Sequence, residues 1–208
     1  MARLPAVYDD SVFINCPFTD DYREPFRALV FTVADCGFIP RSALEKSDSS
    51  ETRIEKLYRI IEECRYGIHD ISITELDPDH NLPRFNMPLE LGIFLGARRF
   101  GTPAQRRKAC LILDRSRYRY QIYCSDLAGQ DPKSHNGTSQ GVVKCVRNWL
   151  RGEKIDRTLA SGERMWVRFE RFKIALPFIC DGLLLEPDDL EFNDLTMVVE
   201  QWLRLNPW

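Results

Sequence analysis

Between residues 10 and 115, short apolar runs alternate with amphipathic stretches, and this alternation restricts the chain to few folds. Four apolar runs have the length of strands, at residues 12–16, 38–43, 66–72 and 109–114. Strands that are buried on both faces of a parallel sheet have continuous apolar sequences of this kind. Between the runs, apolar residues recur at helical spacing, as Ile54, Leu57 and Ile61 do. The series predicts an α/β fold in which helices flank a doubly wound, mostly parallel sheet of four or five strands.

The second half of the chain is predicted to be mainly helical. Apolar stripes at helical spacing run through residues 142–150, 165–176 and 195–203. Residues 115–138 are rich in Arg, Tyr, Gly and Asp and are predicted to form a loop. We therefore predict a single domain over residues 1–208, in which a helical extension over 139–208 packs on a flavodoxin-like core over 10–115.

The charge balance excludes a broad basic surface. The 208 residues contain 29 Lys and Arg against 31 Asp and Glu, a formal net charge of −2. Binding to extended nucleic acid through phosphate contacts is therefore not expected. The three histidines, His69, His80 and His135, are scattered without the spacing of a zinc site. We expect neither a metal nor a cofactor.

The cysteines indicate a reducing environment. All seven occur singly in apolar stretches, and no C-x-x-C pair is present. This usage is typical of reduced, buried thiols. The N-terminal segment lacks the apolar core of a signal peptide, and no apolar run approaches the length of a membrane span. We therefore predict a cytoplasmic protein that has no membrane partner.

Residues 86–92, with the sequence Asn-Met-Pro-Leu-Glu-Leu-Gly, carry the most informative carboxylate. They place Glu90 in the predicted first turn of an apolar helix, just beyond a strand. One interpretation is electrostatic, because an acid in a first turn stabilises the helix by roughly 0.3–1 kcal/mol through its dipole. The other is chemical, because a buried carboxylate in an apolar shell is typical of a nucleophile or a general base. The local sequence leaves both interpretations open.

Further polar residues follow the predicted strands, where open α/β sheets bind their ligands. Asp70 lies near the carboxyl end of the third strand, and it can accept hydrogen bonds from a base or a ribose hydroxyl or cap the following loop. Asn15 and Phe18, after the first strand, can bond to and stack on a base, while Phe18 can equally cover the core. Arg41 lies towards the end of the second strand and can bind a phosphate or stay solvated. Asn86 is a further substrate-binding candidate.

The order of these features resembles two related families, the nucleoside 2-deoxyribosyltransferases and the Toll/interleukin-receptor (TIR) domains. A strand ending in Asp70 is followed by a loop and then by Glu90, within the sequence Glu-Leu-Gly, at a helix start. Residues 12–18, Val-Phe-Ile-Asn-Cys-Pro-Phe, are similar to the first strand and loop of bacterial TIR-like proteins. The resemblance covers residues 10–115.

The resemblance implies that Glu90 is catalytic, attacking or stabilising the anomeric carbon of a ribosyl group while an N-glycosidic bond breaks. Asp70, the second catalytic candidate, and Asn15 would hold the sugar or the leaving base. The implied reaction is hydrolysis or glycosyl transfer on a nucleoside, a nucleotide or NAD, in a setting such as bacterial antiphage defence. We expect Asn15, Asp70 and Glu90 to line one pocket at the carboxyl edge of the sheet.

Fold does not settle function, so two non-enzymatic alternatives stay open. The first is a TIR-like module that senses a nucleotide or self-associates as a homo-oligomeric scaffold. The second is a small signalling protein whose helical half is a docking surface. Release of a free base from a nucleoside or NAD would separate the enzyme from both.

Overall fold

The computed structural model describes residues 7–45, 48–77, 79–153 and 158–208, and within these ranges it contains one five-stranded sheet. The strands are β1 (Ser11–Asn15), β2 (Ile39–Ser42), β3 (Tyr66–Asp70), β4 (Ala109–Asp114) and β5 (Lys133–Ser134). Their order is β2-β1-β3-β4-β5, and every neighbouring pair is parallel. The predicted doubly wound, mostly parallel α/β fold is therefore confirmed, and its strand order is the flavodoxin-like one.

Helices cover both faces of this sheet. They are α1 (Arg23–Asp35), α2 (Arg53–Glu63), α3 (Asn86–Phe100), α4 (Tyr120–Tyr123), α5 (Ser139–Glu153), α6 (Gly162–Leu183) and α7 (Phe192–Leu205). Because side chains alternate along a strand, β1 contributes to two cores. Val12 and Ile14 pack in one cluster with α1, α5, α6 and α7, whereas Phe13 packs with α2 and α3. The sheet therefore separates an α1 face from an α2/α3 face.

The predicted helical second half lies on the α1 face. Phe31 of α1 stacks on Phe172 of α6 with ring centroids 5.2 Å apart, and it lies 5.6 Å from the ring of Trp202 in α7. Through such contacts α5, α6 and α7 share one apolar core with the sheet. No helix in the described ranges is long and apolar enough to cross a membrane. All seven cysteines are free thiols.

Local signals fix the ends of the first two helices. Gly37 follows α1 with a φ of 78°, a left-handed conformation that glycine adopts without strain. Thr52 and Glu55 form a capping box at the start of α2, in which each side chain accepts from the backbone N–H of the other. The end of α2 is held by Lys108, which is 2% exposed and whose Nζ donates to the carbonyl oxygen of Ile61 at 2.6 Å. Because Lys108 directly precedes β4, this bond ties the end of α2 to the start of that strand.

Two regions differ from the predictions. Residues 115–138, predicted to form a loop, contain α4 and β5. The strand β5 has two polar residues and no apolar run, so its sequence carries no strand signal. The helix α3, whose apolar sequence predicts a buried helix, exposes Leu89 and Phe100 to solvent. It also begins at Asn86, so Glu90 is its fifth residue and lies beyond the first turn.

Candidate functional site

Polar side chains collect at the carboxyl ends of β1 and β3, between which the strand order reverses. Asn15 is the last residue of β1, and Asp70 is the last residue of β3. His69 is the register partner of Asn15 across the two strands. Open α/β sheets bind ligands outside the carboxyl ends of their strands at such a switch point. This edge is therefore the candidate site.

Asn15 joins β1 to the first turn of α3. Its Nδ2 donates to the carbonyl oxygen of Met87 at 2.9 Å and lies 3.0 Å from Nδ1 of His69. Because a carbonyl oxygen only accepts, the amide nitrogen must face Met87, and Nδ1 of His69 accepts from the same amide. Burial, with a smaller contribution from the charge of Lys108, lowers the pKa of His69 to about 3. His69 is therefore a neutral, packed side chain that orients Asn15.

Glu90 lies on the same face of the sheet as Asn15 and His69, on the side of α3 that faces α2. Phe94, one turn further along α3, packs against α2. The side chain of Glu90 is 5% exposed, and in the described ranges no group donates a hydrogen bond to its carboxylate. Burial raises the pKa of Glu90 to about 7, and the charge of Arg53 in α2 offsets this rise only in part.

The position of Glu90 favours the chemical interpretation over the electrostatic one. The helix dipole acts within the first turn, and Glu90 lies beyond it. A carboxylate that is largely buried and has no protein donor in the described ranges loses much of its hydration, which raises the free energy of its charged form. Carboxylates with a strongly raised pKa are concentrated at functional sites, where the altered pKa serves the reaction.

Asp70 is directed to the α1 face of β3, since successive side chains of a strand point to opposite sides. Its carboxylate accepts from the Tyr22 hydroxyl and, at 2.9 Å, from the backbone N–H of Ser72. His135 accepts from the backbone N–H of Gly137 through Nδ1, so its Nε2 carries the proton. That Nε2 lies 3.3 Å from Oδ2 of Asp70, at an angle too poor for a full hydrogen bond. The network ties the loop after β1, the end of β3 and the segment before α5 together.

The three residues expected to line one pocket are thus divided between two faces of the sheet. Asn15 and Glu90 lie on the α2/α3 face of the sheet, whereas Asp70 lies on the α1 face. The carboxylates of Asp70 and Glu90 both interact electrostatically with Cys16, a completely buried thiol that directly follows β1. Burial raises the pKa of Cys16 well above its usual value, and the charges of Asp70 and Glu90 raise it further. Side-chain alternation along β3 is the physical reason for the division.

The remaining candidates lie at the periphery of the site. Phe18 packs edge to face on a phenylalanine of α1, with ring centroids 5.5 Å apart, so it covers the core. Arg41 donates two hydrogen bonds of 2.7 Å to Glu45 and one of 2.8 Å to Glu63, and these contacts raise the pKa of Arg41. A phosphate would have to compete with two carboxylates for this guanidinium. Asn86 is the exposed first residue of α3.

Three residues at this edge were missed by the sequence analysis. Arg53 acts on the Glu90 carboxylate and also lines a hollow of about 310 Å³ with Lys56 at the start of α2. Tyr22 and His135 bracket Asp70 from distant parts of the chain. No local pattern marks these three side chains. The apolar alternation along β3 did contain a signal, since it assigns Asp70 to the α1 face.

Comparison with protein-family models, curated proteins and solved structures finds no match to this chain. The likeness to the deoxyribosyltransferases and TIR domains therefore rests on the residues named above. The described ranges contain no group of three or more His, Cys, Asp or Glu side chains that could hold a metal ion. Function is accordingly inferred from the geometry of the site.

We expect Asp70→Asn to lower the free energy of unfolding by about 2 kcal/mol. An amide cannot accept from all the donors around Asp70, and hydrogen bonds to charged groups contribute roughly 1.5–3 kcal/mol each. Urea denaturation measures the loss. The exposed Asp189→Asn is the matched control and should change stability by less than about 0.5 kcal/mol. An Asp70→Asn variant as stable as the control would contradict the structural role of Asp70.

Proposed function

We propose that this chain cleaves an N-glycosidic bond of a nucleoside, a nucleotide or NAD, with Glu90 as nucleophile or as stabiliser of the oxocarbenium ion. The observation that carries the proposal is the carboxylate of Glu90, which is largely buried, has no donor in the described ranges and belongs to the helix that Asn15 contacts at the switch point of a parallel sheet. Ligands of such sheets bind at this place. The sequence resemblance, which assigns catalysis to the same Glu, supports the proposal independently of the geometry.

Cleavage of an N-glycosidic bond suits a carboxylate that has no hydrogen-bond donor among the described residues. When the bond between the anomeric carbon and the base breaks, the electron pair leaves with the base, and positive charge grows on the sugar. A negative charge held nearby stabilises that transition state, and it does so more strongly in a site of low dielectric than in water. Glu90 either bonds to the anomeric carbon or remains paired with it until water or a second nucleoside attacks. In its ionised form, which is the major one above about pH 7, the carboxylate has no protein donor in the described ranges that competes with the sugar for its charge.

Neighbouring residues have supporting roles in this proposal. Asn15 fixes the first turn of α3 through its bond to Met87, and so it positions Glu90 one turn further on. Arg53 favours the ionised form of Glu90. Asp70, whose carboxylate is already bonded by Tyr22 and Ser72, holds the sheet edge together.

The pH dependence of the reaction follows from the pKa of Glu90, about 7. The ionised form is the active one, so kcat/KM should rise about tenfold per pH unit below pH 7 and level off above it. Base release measured by liquid chromatography between about pH 5 and 9 checks this profile. A rate that falls as pH rises through 7 would contradict it, because the protonated carboxyl would then be the active form.

The proposal is tested by incubating the full chain with NAD and with a panel of nucleosides and nucleotides, followed by mass spectrometry. Release of a free base at a rate proportional to the enzyme concentration supports the proposal. The sugar product formed with it distinguishes hydrolysis from transfer. If none of these compounds loses its base, the non-enzymatic sensing or scaffold module is favoured instead.

A further inference from the structure

Three arginines converge on one hollow at the end of α3 that lies away from Glu90. Arg98 and Arg99 belong to the last turn of α3, and Arg106 belongs to the one-turn helix Gln105–Arg107. The hollow has a volume of about 480 Å³, and Leu95 and Gln130 complete its lining. All three arginines are exposed.

The charges in this hollow are not balanced by acids. In the described ranges, no carboxylate lies within ion-pair distance of Arg98, Arg99 or Arg106, although Nε of Arg106 donates to a backbone carbonyl at 3.2 Å. Other arginines of the chain are paired, among them Arg41 with Glu45 and Glu63, Arg59 with Glu51, and Arg119 with Asp114. Like charges gathered without an acid repel one another. The helix dipole favours cations only in the last turn of α3, so it does not account for Arg106.

We propose that this hollow binds the phosphates of a small ligand that carries a diphosphate group. A guanidinium presents its N–H donors as a planar fork that matches the oxygens of phosphate, and three such groups can surround two linked phosphates. A volume of about 480 Å³ is within the range of small-molecule sites. Binding of a diphosphate would supply the negative charge that the described residues do not. The proposal uses none of the residues of the Glu90 site and is independent of the function proposed above.

The test is isothermal titration of the full chain with inorganic pyrophosphate. We expect the triple variant Arg98→Gln, Arg99→Gln and Arg106→Gln to raise the Kd at least about tenfold. The control is the double variant Arg164→Gln and Arg171→Gln, which removes two exposed arginines that line a separate hollow along α6. It should leave the Kd unchanged within about twofold. Absence of binding by the wild type at millimolar pyrophosphate, or an equal loss in the control, would overturn the proposal.

Two further arms identify the source of the phosphates and exclude misfolding. ADP should bind at least as tightly as pyrophosphate, whereas a single-stranded oligonucleotide that binds more than about tenfold tighter, and that the triple variant no longer binds, would overturn the small-ligand assignment. The substitutions are at exposed positions, so the urea midpoint of the triple variant should match that of the wild type. If the triple variant does not fold, each single variant is titrated, and three unchanged Kd values would overturn the proposal.

Discussion

Glu90→Gln is expected to release base at least about a hundredfold more slowly than the wild type. The amide keeps the shape and reach of Glu90 but has no negative charge with which to stabilise the positive anomeric carbon. One electrostatic group in a water-excluded site lowers the barrier by about 2.7–4 kcal/mol, which corresponds to a hundredfold to a thousandfold in rate. Glu200→Gln, at an exposed position of α7, is the matched control and should keep the wild-type rate.

The same variant is expected to be more stable than the wild type above neutral pH. Folding raises the pKa of Glu90 from 4.5 to about 7, so the folded state binds the proton more tightly than the unfolded chain. The free energy of unfolding of the wild type therefore falls by up to about 3 kcal/mol through this group as the pH rises from about 4.5 to 7. The uncharged Gln does not incur this loss. The free energy of unfolding of the variant should exceed that of the wild type at about pH 8 and match it near pH 4.

This sign separates the two interpretations of Glu90. If Glu90 only complemented the helix dipole, its replacement would lower stability by up to about 1 kcal/mol and leave base release unchanged. A buried catalytic carboxylate gives the opposite pattern, in which stability rises and activity is lost. Such an exchange of stability for activity is common at functional sites. Urea denaturation at two pH values distinguishes the patterns.

Asp114→Asn is expected to lower the free energy of unfolding by about 3 kcal/mol. Asp114 is 1% exposed, and Oδ1 accepts from Nη1 of Arg119 at 2.5 Å, while Oδ2 accepts from the Tyr123 hydroxyl at 3.0 Å. Arg119 also donates to the carbonyl oxygen of Ser72 at 2.9 Å, so the pair links the ends of β3 and β4. Removing the charge of Asp114 leaves the largely buried guanidinium of Arg119 without a counter-ion. An uncompensated buried charge destabilises the folded state strongly.

Asp131→Asn is the control for this variant. Asp131 pairs with Lys133 at the surface, where both side chains are largely exposed, and such pairs contribute at most about 1 kcal/mol. Urea denaturation of both variants at neutral pH gives the comparison. If Asp114→Asn cost no more than the control, the contribution of the buried pair to the stability of this edge would be contradicted.

The fold was predictable because its strongest signals are local. The apolar runs placed β1, β2, β3 and β4 within two residues of their observed ends, since buried parallel strands must be apolar throughout. The strand β5 could not be placed in this way, because its two residues are polar and form no apolar run. The stripes along α5, α6 and α7 likewise identified the sides that pack on α1.

The site was predictable only in part, because it depends on contacts between distant residues. Glu90 was found from its apolar surroundings, but the absence of donors around it depends on how α2 packs on α3. The hydrogen bond from Tyr22 to Asp70 joins residues 48 positions apart, and no local sequence pattern predicts it. Lys108 follows two arginines in a run that looks solvated, yet it is buried against the end of α2.

The most direct test of the central claim is the rate of base release from NAD and nucleosides by wild type and Glu90→Gln at about pH 8, with the urea midpoint of both proteins measured on the same preparations. We predict that the wild type releases free base, that the variant does so at least about a hundredfold more slowly, and that the variant unfolds at higher urea. A variant that keeps more than about a tenth of the wild-type rate would contradict the catalytic role of Glu90.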